Sequence, residues 1–160
     1  MRVILDTSSL IYLSDFRRFD EIFTVSSVLG EVKDSVTAMK VSGLKFKVVE
    51  PKKETINKVR KVAKTTNDLE RLSKTDIEVL AGAIENDCVI ISDDRNIQNV
   101  AEKMGIKYIS IFSKKITKLI TWKKQCLNCK KDFEGEFCPI CGEKLMRVPK
   151  KSIVIKEEKR

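Results

Sequence analysis

The chain has 160 residues, 42% of them apolar, no histidine and a net charge of +9. A core of ordinary size can form. Without histidine, Ser-His-Asp and Cys-His catalysis, histidine bases and histidine metal ligands are all excluded. Carboxylates, cysteines, lysines and hydroxyls must carry the chemistry. No apolar run reaches the roughly 18 residues of a membrane span, and no signal-peptide pattern follows Met1. A cytoplasmic protein with no membrane contact is therefore expected.

The charge is uneven. Residues 1–112 hold 18 Lys/Arg against 17 Asp/Glu, whereas residues 113–160 hold 14 against 6. A positive field confined to the last third suits a polyanion such as nucleic acid. A lysine-rich surface kept for solubility is the competing explanation.

In chain order, "RVILD" is a short apolar strand ending in Asp6, and "TSSLIYLSDF" follows with hydroxyl caps and helical spacing of Leu10, Ile11 and Leu13. "IFTVSSVLGEV" is a second strand running into a helix with Val28, Leu29 and Val32 on its apolar side. Residues 34–45 are weakly patterned, with Gly43 marking a loop. "KFKVVEP" is a strand stopped by Pro51, and Ile56, Val59 and Val62 recur at helical spacing beyond it. "LSKTDIEVLAGAIEND" is the clearest helix, with Ser73 as its cap and Ile77, Leu80, Ala81 and Ile84 as its buried stripe. "CVIISDD" is a buried strand opened by Cys88, "RNIQNVAEKMG" a helix closed by Gly105, and "IKYISI" a last strand. Short apolar strands alternating with helices predict an α/β fold with a parallel sheet covered on both faces. The pattern ends near Ile111. The expected organisation is an α/β domain over 1–112, a basic linker over 113–122, a four-cysteine ribbon over 123–150 and a charged tail over 151–160.

Cys126-x2-Cys129 and Cys138-x2-Cys141 form two knuckles eight residues apart. Four thiolates make the closed tetrahedral set that one structural zinc ion prefers. Gly142 allows the backbone to turn under the metal. Two disulfides, a redox pair and an iron–sulfur cluster are the alternatives. Lys114, Lys115, Lys118, Lys123 and Lys124 precede the ribbon, Lys130 and Lys131 lie within it, and Lys150 and Lys151 follow. Together with Trp122 and Phe133 they are candidate RNA contacts, the aromatic rings offering stacking surfaces. Packing between the two domains is an equal account of Trp122.

Asp6 ends the first strand, Asp93 and Asp94 end the strand at 88–92, Glu31 lies in the helix after the second strand, and Asp76 opens the helix that follows Ser73. Parallel topology brings such positions to one edge. A carboxylate cluster suits Mg²⁺ or Mn²⁺ and metal-dependent phosphodiester cleavage. Each acid also has a plain alternative: Asp6 as a helix cap, Asp76 as part of a capping box, Asp93 and Asp94 as turn and cap, Glu31 as surface.

"RVILDTSSLI", "GEV", "LSKTDIEVLAGAIEND" and "VIISDDRNIQNVA" resemble the motif regions of PIN-domain nucleases over residues 1 to about 112. With the ribbon behind them, the chain resembles the archaeal Nob-type endoribonuclease family of ribosome biogenesis. The resemblance implies a three-layer α/β/α domain with a central parallel sheet. It implies metal-binding carboxylates at Asp6, Glu31, Asp76 and Asp93, with Asp94 an additional ligand and Thr7 and Ser92 hydroxyl neighbours. It further implies maturation of the 3′ end of small-subunit (16S) rRNA on a pre-small ribosomal subunit, alongside other assembly factors. A non-catalytic assembly factor that binds precursor rRNA, a toxin-type PIN ribonuclease acting on other RNAs, and an acidic phosphate-transfer or topoisomerase-like domain are the competing functions.

Overall fold

The structure is a computed structural model that describes residues 1–33, 39, 42–43 and 45–155. Most of the weakly patterned stretch at 34–45, and the charged tail beyond 155, lie outside the described residues. In chain order come β1 (Arg2–Leu5), α1 (Thr7–Tyr12), β2 (Glu21–Val25), α2 (Ser26–Glu31), β3 (Lys47–Val49) and α3 (Lys53–Thr66). After a 3-10 turn (Leu69–Arg71) follow α4 (Lys74–Asn86), β4 (Val89–Ile91), α5 (Arg95–Met104) and β5 (Tyr108–Ile109), then β6 (Lys118–Gln125) and β7 (Met146–Val154).

The first five strands make one sheet in the order β3-β2-β1-β4-β5, and every neighbouring pair is parallel. Strands buried on both faces read as unbroken apolar runs. Val3, Ile4, Leu5, Ile90 and Ile91 are accordingly fully buried, with Leu80, Ala81 and Ala83 of α4 in the same core. Helices flank the sheet, giving the expected three-layer α/β/α class. The helix ends are set by the local chemistry read from the sequence. Ser73 and Asp76 form a reciprocal capping box, Asp6 caps α1, and Asp94 caps α5. Gly105 closes α5 in the left-handed conformation.

The C-terminal third differs from expectation. Residues 118–122 are no linker but the first half of β6, and 151–154 are no tail but the end of β7. The two strands pair antiparallel from Lys118↔Val154 to Gln125↔Met146, with a register shift at Thr121/Trp122. The four-cysteine module closes the far end of this hairpin. Pro149 sits opposite Trp122 beside the shift, and a two-stranded sheet tolerates proline because each strand has a free edge.

Two glycines in helices give a test of the packing with opposite signs. A Cβ on Gly82 would lie 2.8 Å from Ile4 Cδ1, whereas one on Gly30 meets nothing within 4 Å. Gly82→Val should cost about 1–3 kcal/mol by overpacking, while Gly30→Ala should gain about 0.4–1 kcal/mol through the unfolded chain. Urea denaturation of both variants checks the pair, and equal signs would contradict the packing described.

Candidate active site and metal centre

In an open parallel sheet a crevice forms where the strand order reverses, beyond the carboxyl ends of the strands. Here that point lies between β1 and β4, whose last residues Leu5 and Ile91 are register partners. Asp6 follows the first, and Ser92, Asp93 and Asp94 follow the second. Asp6 is only 5% exposed. Its Oδ1 accepts a hydrogen bond from the Ser9 N–H at 2.7 Å. Burial pushes its carboxyl up, hydrogen bonds from Ser92 and Ser9 oppose this, and the charge of Asp94 adds to the rise. Asp76 is raised in the same way: burial first, then the charges of Asp94 and Asp6, against hydrogen bonds from Ser73. Three carboxyl groups from α1, α4 and α5 thus sense one another at one edge of the sheet.

The helix caps and the cluster are the same residues. Capping occupies Oδ2 of Asp76, from Ser73 N at 2.7 Å, and Oδ1 of Asp94, from Asn96 N at 2.6 Å and Asn96 Nδ2 at 3.0 Å. The second oxygen of each accepts no hydrogen bond among the described residues. Ser92 is fully buried and accepts from the Asp94 N–H at 3.1 Å, linking β4 to the cap. The Thr7 hydroxyl donates to Glu31, which ties α2 to the start of α1 beside Asp6.

Asp93 is used differently. Its Oδ1 accepts from the Ser110 hydroxyl at 2.7 Å, the Ser113 N–H at 2.9 Å and the Ser113 hydroxyl at 2.9 Å, and from the Ile111 N–H at 3.1 Å. Desolvation acts upward on this carboxyl, but the donors of Ser113, Ser110 and Phe112 outweigh it and hold it below the ordinary range. Asp93 therefore anchors the loop after β5, while the charge of its neighbour Asp94 acts on Asp6 and Asp76. The serines at 110 and 113, and Asn96, were not singled out in the sequence. Asn96 carried a readable signal as the second residue after a cap, but the partners of Asp93 carried none.

Among the described residues, the sulfurs of Cys126, Cys129, Cys138 and Cys141 are the metal-ligand atoms that all lie within 4.8 Å of one another. Cys126 and Cys141 are 3.5 Å apart, and Cys138 and Cys129 are 3.9 Å apart. A tetrahedron with metal–sulfur bonds of about 2.3 Å sets its sulfurs about 3.8 Å apart, so the four can hold one metal ion. All four are free thiols, which removes the two-disulfide alternative. The knuckles match: Lys130 N donates to Cys126 O and Gly142 N to Cys138 O, both at 2.9 Å. Both residues that close them have positive φ, 57° at Lys130 and 75° at Gly142. The hydrogen bond from the Glu143 backbone lowers Cys141 to about 7, towards the thiolate that a metal takes.

The basic residues are more engaged than the sequence implied. Lys123 pairs with Asp132 at 2.9 Å and Lys124 with Glu70 at 2.8 Å. Lys115 lies over the Tyr108 ring at 5.4 Å. Lys114, Lys118 and Lys131 are exposed. Trp122 is half-buried where the hairpin meets the α/β domain: Arg147 lies 4.2 Å over its ring, and its carbonyl accepts from Asn67 at 2.8 Å. Arg147 also bonds Asp68, the Asn67 carbonyl at 3.2 Å and Asn96 Oδ1 at 3.4 Å.

Residues 3–85 match the family model described as the PIN domain of ribonuclease. The chain is 35% identical over 144 residues to the protein named Endoribonuclease Nob1 of Archaeoglobus fulgidus, covering 87% of this chain and 86% of that protein. It is 36% identical over 159 residues to Endoribonuclease Nob1 of Pyrococcus abyssi, covering 94% and 96%. The chain belongs to the Nob1 family of PIN-domain endoribonucleases. A further relative, Ribonuclease VapC1 of Thermoplasma acidophilum, is 35% identical over 151 residues, covering 92% of this chain and 78% of that protein. The family match contains Asp6, Glu31 and Asp76, and PIN nucleases use divalent cations, which agrees with a site built from oxygen donors.

Two outcomes check the two centres. Asp6 and Asp76 are raised, so the folded protein keeps their protons at pH values where the unfolded chain has lost them. Their contribution to stability is fully present below the ordinary carboxylate value of 3.8. It is lost as the pH rises through the raised folded values. Without added divalent ion, and without chelator so that the cysteine centre is left intact, Asp6→Asn should therefore gain stability on wild type between about pH 4 and about pH 7. Thermal melts measure the difference, and a gap that does not grow with pH contradicts a carboxyl raised by burial and by its acidic neighbours. At the other centre, Cys138→Ser should lose the bound metal, seen by elemental analysis, while circular dichroism retains the α/β domain. Retention of one metal ion per chain would remove the four-cysteine assignment.

Proposed function

We propose that the chain matures the 3′ end of small-subunit rRNA, cutting a precursor RNA on the pre-small ribosomal subunit in the cytoplasm. The observation that carries this reading is the joining of two parts by hydrogen bonds across the hairpin. A carboxylate cluster lies at the reversal point of the sheet, and a basic four-cysteine ribbon is bonded through Arg147 to the residues beside it. Endoribonuclease membership supplies the reaction class, and the ribbon supplies a second surface for a large structured RNA.

The electrostatic coupling of Asp94 to Asp6 and Asp76 supports these three as ligands of Mg²⁺ or Mn²⁺, with Asp93 holding the adjoining loop. A bound Mg²⁺ or Mn²⁺ supplies charge neutralisation at the phosphate and an acidified water as nucleophile. Glu31, fixed by the Thr7 hydroxyl, completes the cluster or orients that water, and hydrolysis leaves 3′-hydroxyl and 5′-phosphate ends. Zinc is the ion that four cysteines at this spacing favour. Assembly factors bound to the same particle would present the RNA.

The similarity to a protein named Ribonuclease VapC1 favours a second reading, a ribonuclease acting on other RNAs. Both are tested by incubating the chain with Mn²⁺ or Mg²⁺ and two substrates: an RNA spanning the 3′ end of precursor 16S rRNA, and an unrelated RNA. A single metal-dependent cut at the mature end is expected, with Asp94→Asn reduced by about 100-fold or more and Asp93→Asn reduced less, since an amide oxygen still accepts from the loop. Equal cutting of both RNAs favours the second reading. Wild-type rates in Asp94→Asn would remove Asp94 from the ligand set.

A further inference from the structure

Two adjoining cavities lie on the flank of the α/β domain, the second reaching the hairpin at Lys123, Lys124 and Lys144. The first, about 620 Å³, runs between α3 and the start of α4. Arg60, Lys61, Lys64 and Lys74 line it, and no acidic residue does. Lys74 pairs with Glu78 at 3.5 Å as an exposed helical neighbour, a contact worth little in water. The second, about 570 Å³, lies between the 3-10 turn and the hairpin, with Trp122 and Phe133 in its wall. Lys64 and Leu69 line both cavities, so they form one path.

The path has a direction. At one end Lys74 stands two residues before Asp76, whose carboxyl senses Asp6 and Asp94. At the other, Arg147 covers Trp122 and bonds Asn96, which in turn bonds Asp94. The charges also differ along it. The first cavity is purely cationic, whereas the second mixes Lys and Arg with Glu70, Glu134 and Glu136. A row of cations followed by aromatic side chains in a cleft of mixed charge, still positive on balance, matches a nucleic-acid strand. Phosphates need the former, and an unpaired base, with its apolar faces and polar edges, suits the latter. A helix face that is basic only for solubility has no reason to adjoin an aromatic cleft.

We propose that this path is the seat of a single-stranded RNA segment flanking the scissile bond. Its phosphates lie along Arg60, Lys61, Lys64 and Lys74, and one unpaired base enters the cleft at Trp122 and Phe133. The inference rests on the reading of the chain as an RNA nuclease and deepens it. The RNA is gripped by the catalytic domain as well as by the ribbon, and in unpaired form near the cut.

The test uses the full chain with an oligouridylate of about 12 nucleotides, without added divalent ion so that the probe stays intact. Trp122 is the sole tryptophan, so its fluorescence reports on the cleft without any substitution. Quenching on saturation with the probe is expected. Each phosphate contact to a single strand contributes about 0.7 to the slope of log affinity against log salt. Removing the exposed α3 cations in Arg60→Ala/Lys61→Ala/Lys64→Ala should therefore flatten the slope by about 2 and weaken binding by about tenfold or more at low salt. Lys103→Ala/Lys107→Ala, at the opposite edge of the sheet, should leave the slope unchanged. Retained binding with either an unchanged slope in the triple variant or an unresponsive Trp122 overturns the path and leaves the nuclease reading intact. No binding of any RNA by the wild-type chain overturns both.

Discussion

The order β3-β2-β1-β4-β5 sets β1 and β4 side by side although two strands and four helices separate them among the described residues. Their carboxyl ends open onto the one place where helices depart to either side, so the backbone cannot fill the gap between them. Each departing helix starts there with unpaired N–H groups that call for an oxygen cap. Asp6 and Asp94 supply caps at that edge, and Asp76 supplies the third from the start of α4. Capping is thus compatible with the metal-ligand role proposed for these acids. The caps fix the carboxylates at one edge, where burial first and mutual charge second raise Asp6 and Asp76.

A second constraint joins the ribbon to this frame. Asp68 is fully buried in the joint between α3 and the 3-10 turn. Its carboxylate is satisfied by Asn99 Nδ2 at 2.6 Å and by Arg147 from the far strand of the hairpin. Asn99 also exchanges hydrogen bonds with both backbone groups of Ile120, at 2.7 and 2.8 Å. One asparagine side chain therefore continues β6 onto α5 as a strand partner would. Removing a partner from a buried ion pair typically costs about 3–5 kcal/mol, because the remaining charge is left uncompensated. The exposed Lys124–Glu70 pair beside it contributes far less. The junction is held by Asp68, Asn99 and Arg147, not by the many lysines around it.

These physical differences decide what the sequence could reveal. The strands of the α/β domain are short apolar runs and its helices carry their caps in the local sequence, so "LSKTDIEVLAGAIEND" declared its box and its buried stripe without help. The hairpin declared nothing. β6 and β7 pair across the whole cysteine module, lysines occupy positions on both faces, and Pro149 interrupts the only apolar alternation. Arg147 likewise reads as one more cation in a basic tail, because its partner lies in another domain. The convergence of the four cysteines was legible because ligand spacing is local, whereas the pairing of Lys123 and Lys124 with acids was not.

Asp93 and Asp94 show where sequence reading reaches its limit even inside a well-marked motif. Both lie in the short segment between β4 and α5, where Asp94 is the N-cap of the helix and Asp93 precedes it. Their roles are separated by the groups each one meets. The loop at 110–113 offers backbone N–H groups and two serine hydroxyls, a set that holds the carboxylate in place and keeps it ionised. Asp94 instead has one oxygen satisfied by Asn96, its backbone N–H donated to the Ser92 hydroxyl, and its charge acting on two more acids. Hydrogen bonds favour the charged form of Asp93 and fix it to the loop, whereas Asp94 has one oxygen bonded to Asn96 and adds its charge to Asp6 and Asp76. The division of labour between these two adjacent residues follows from that difference in surroundings.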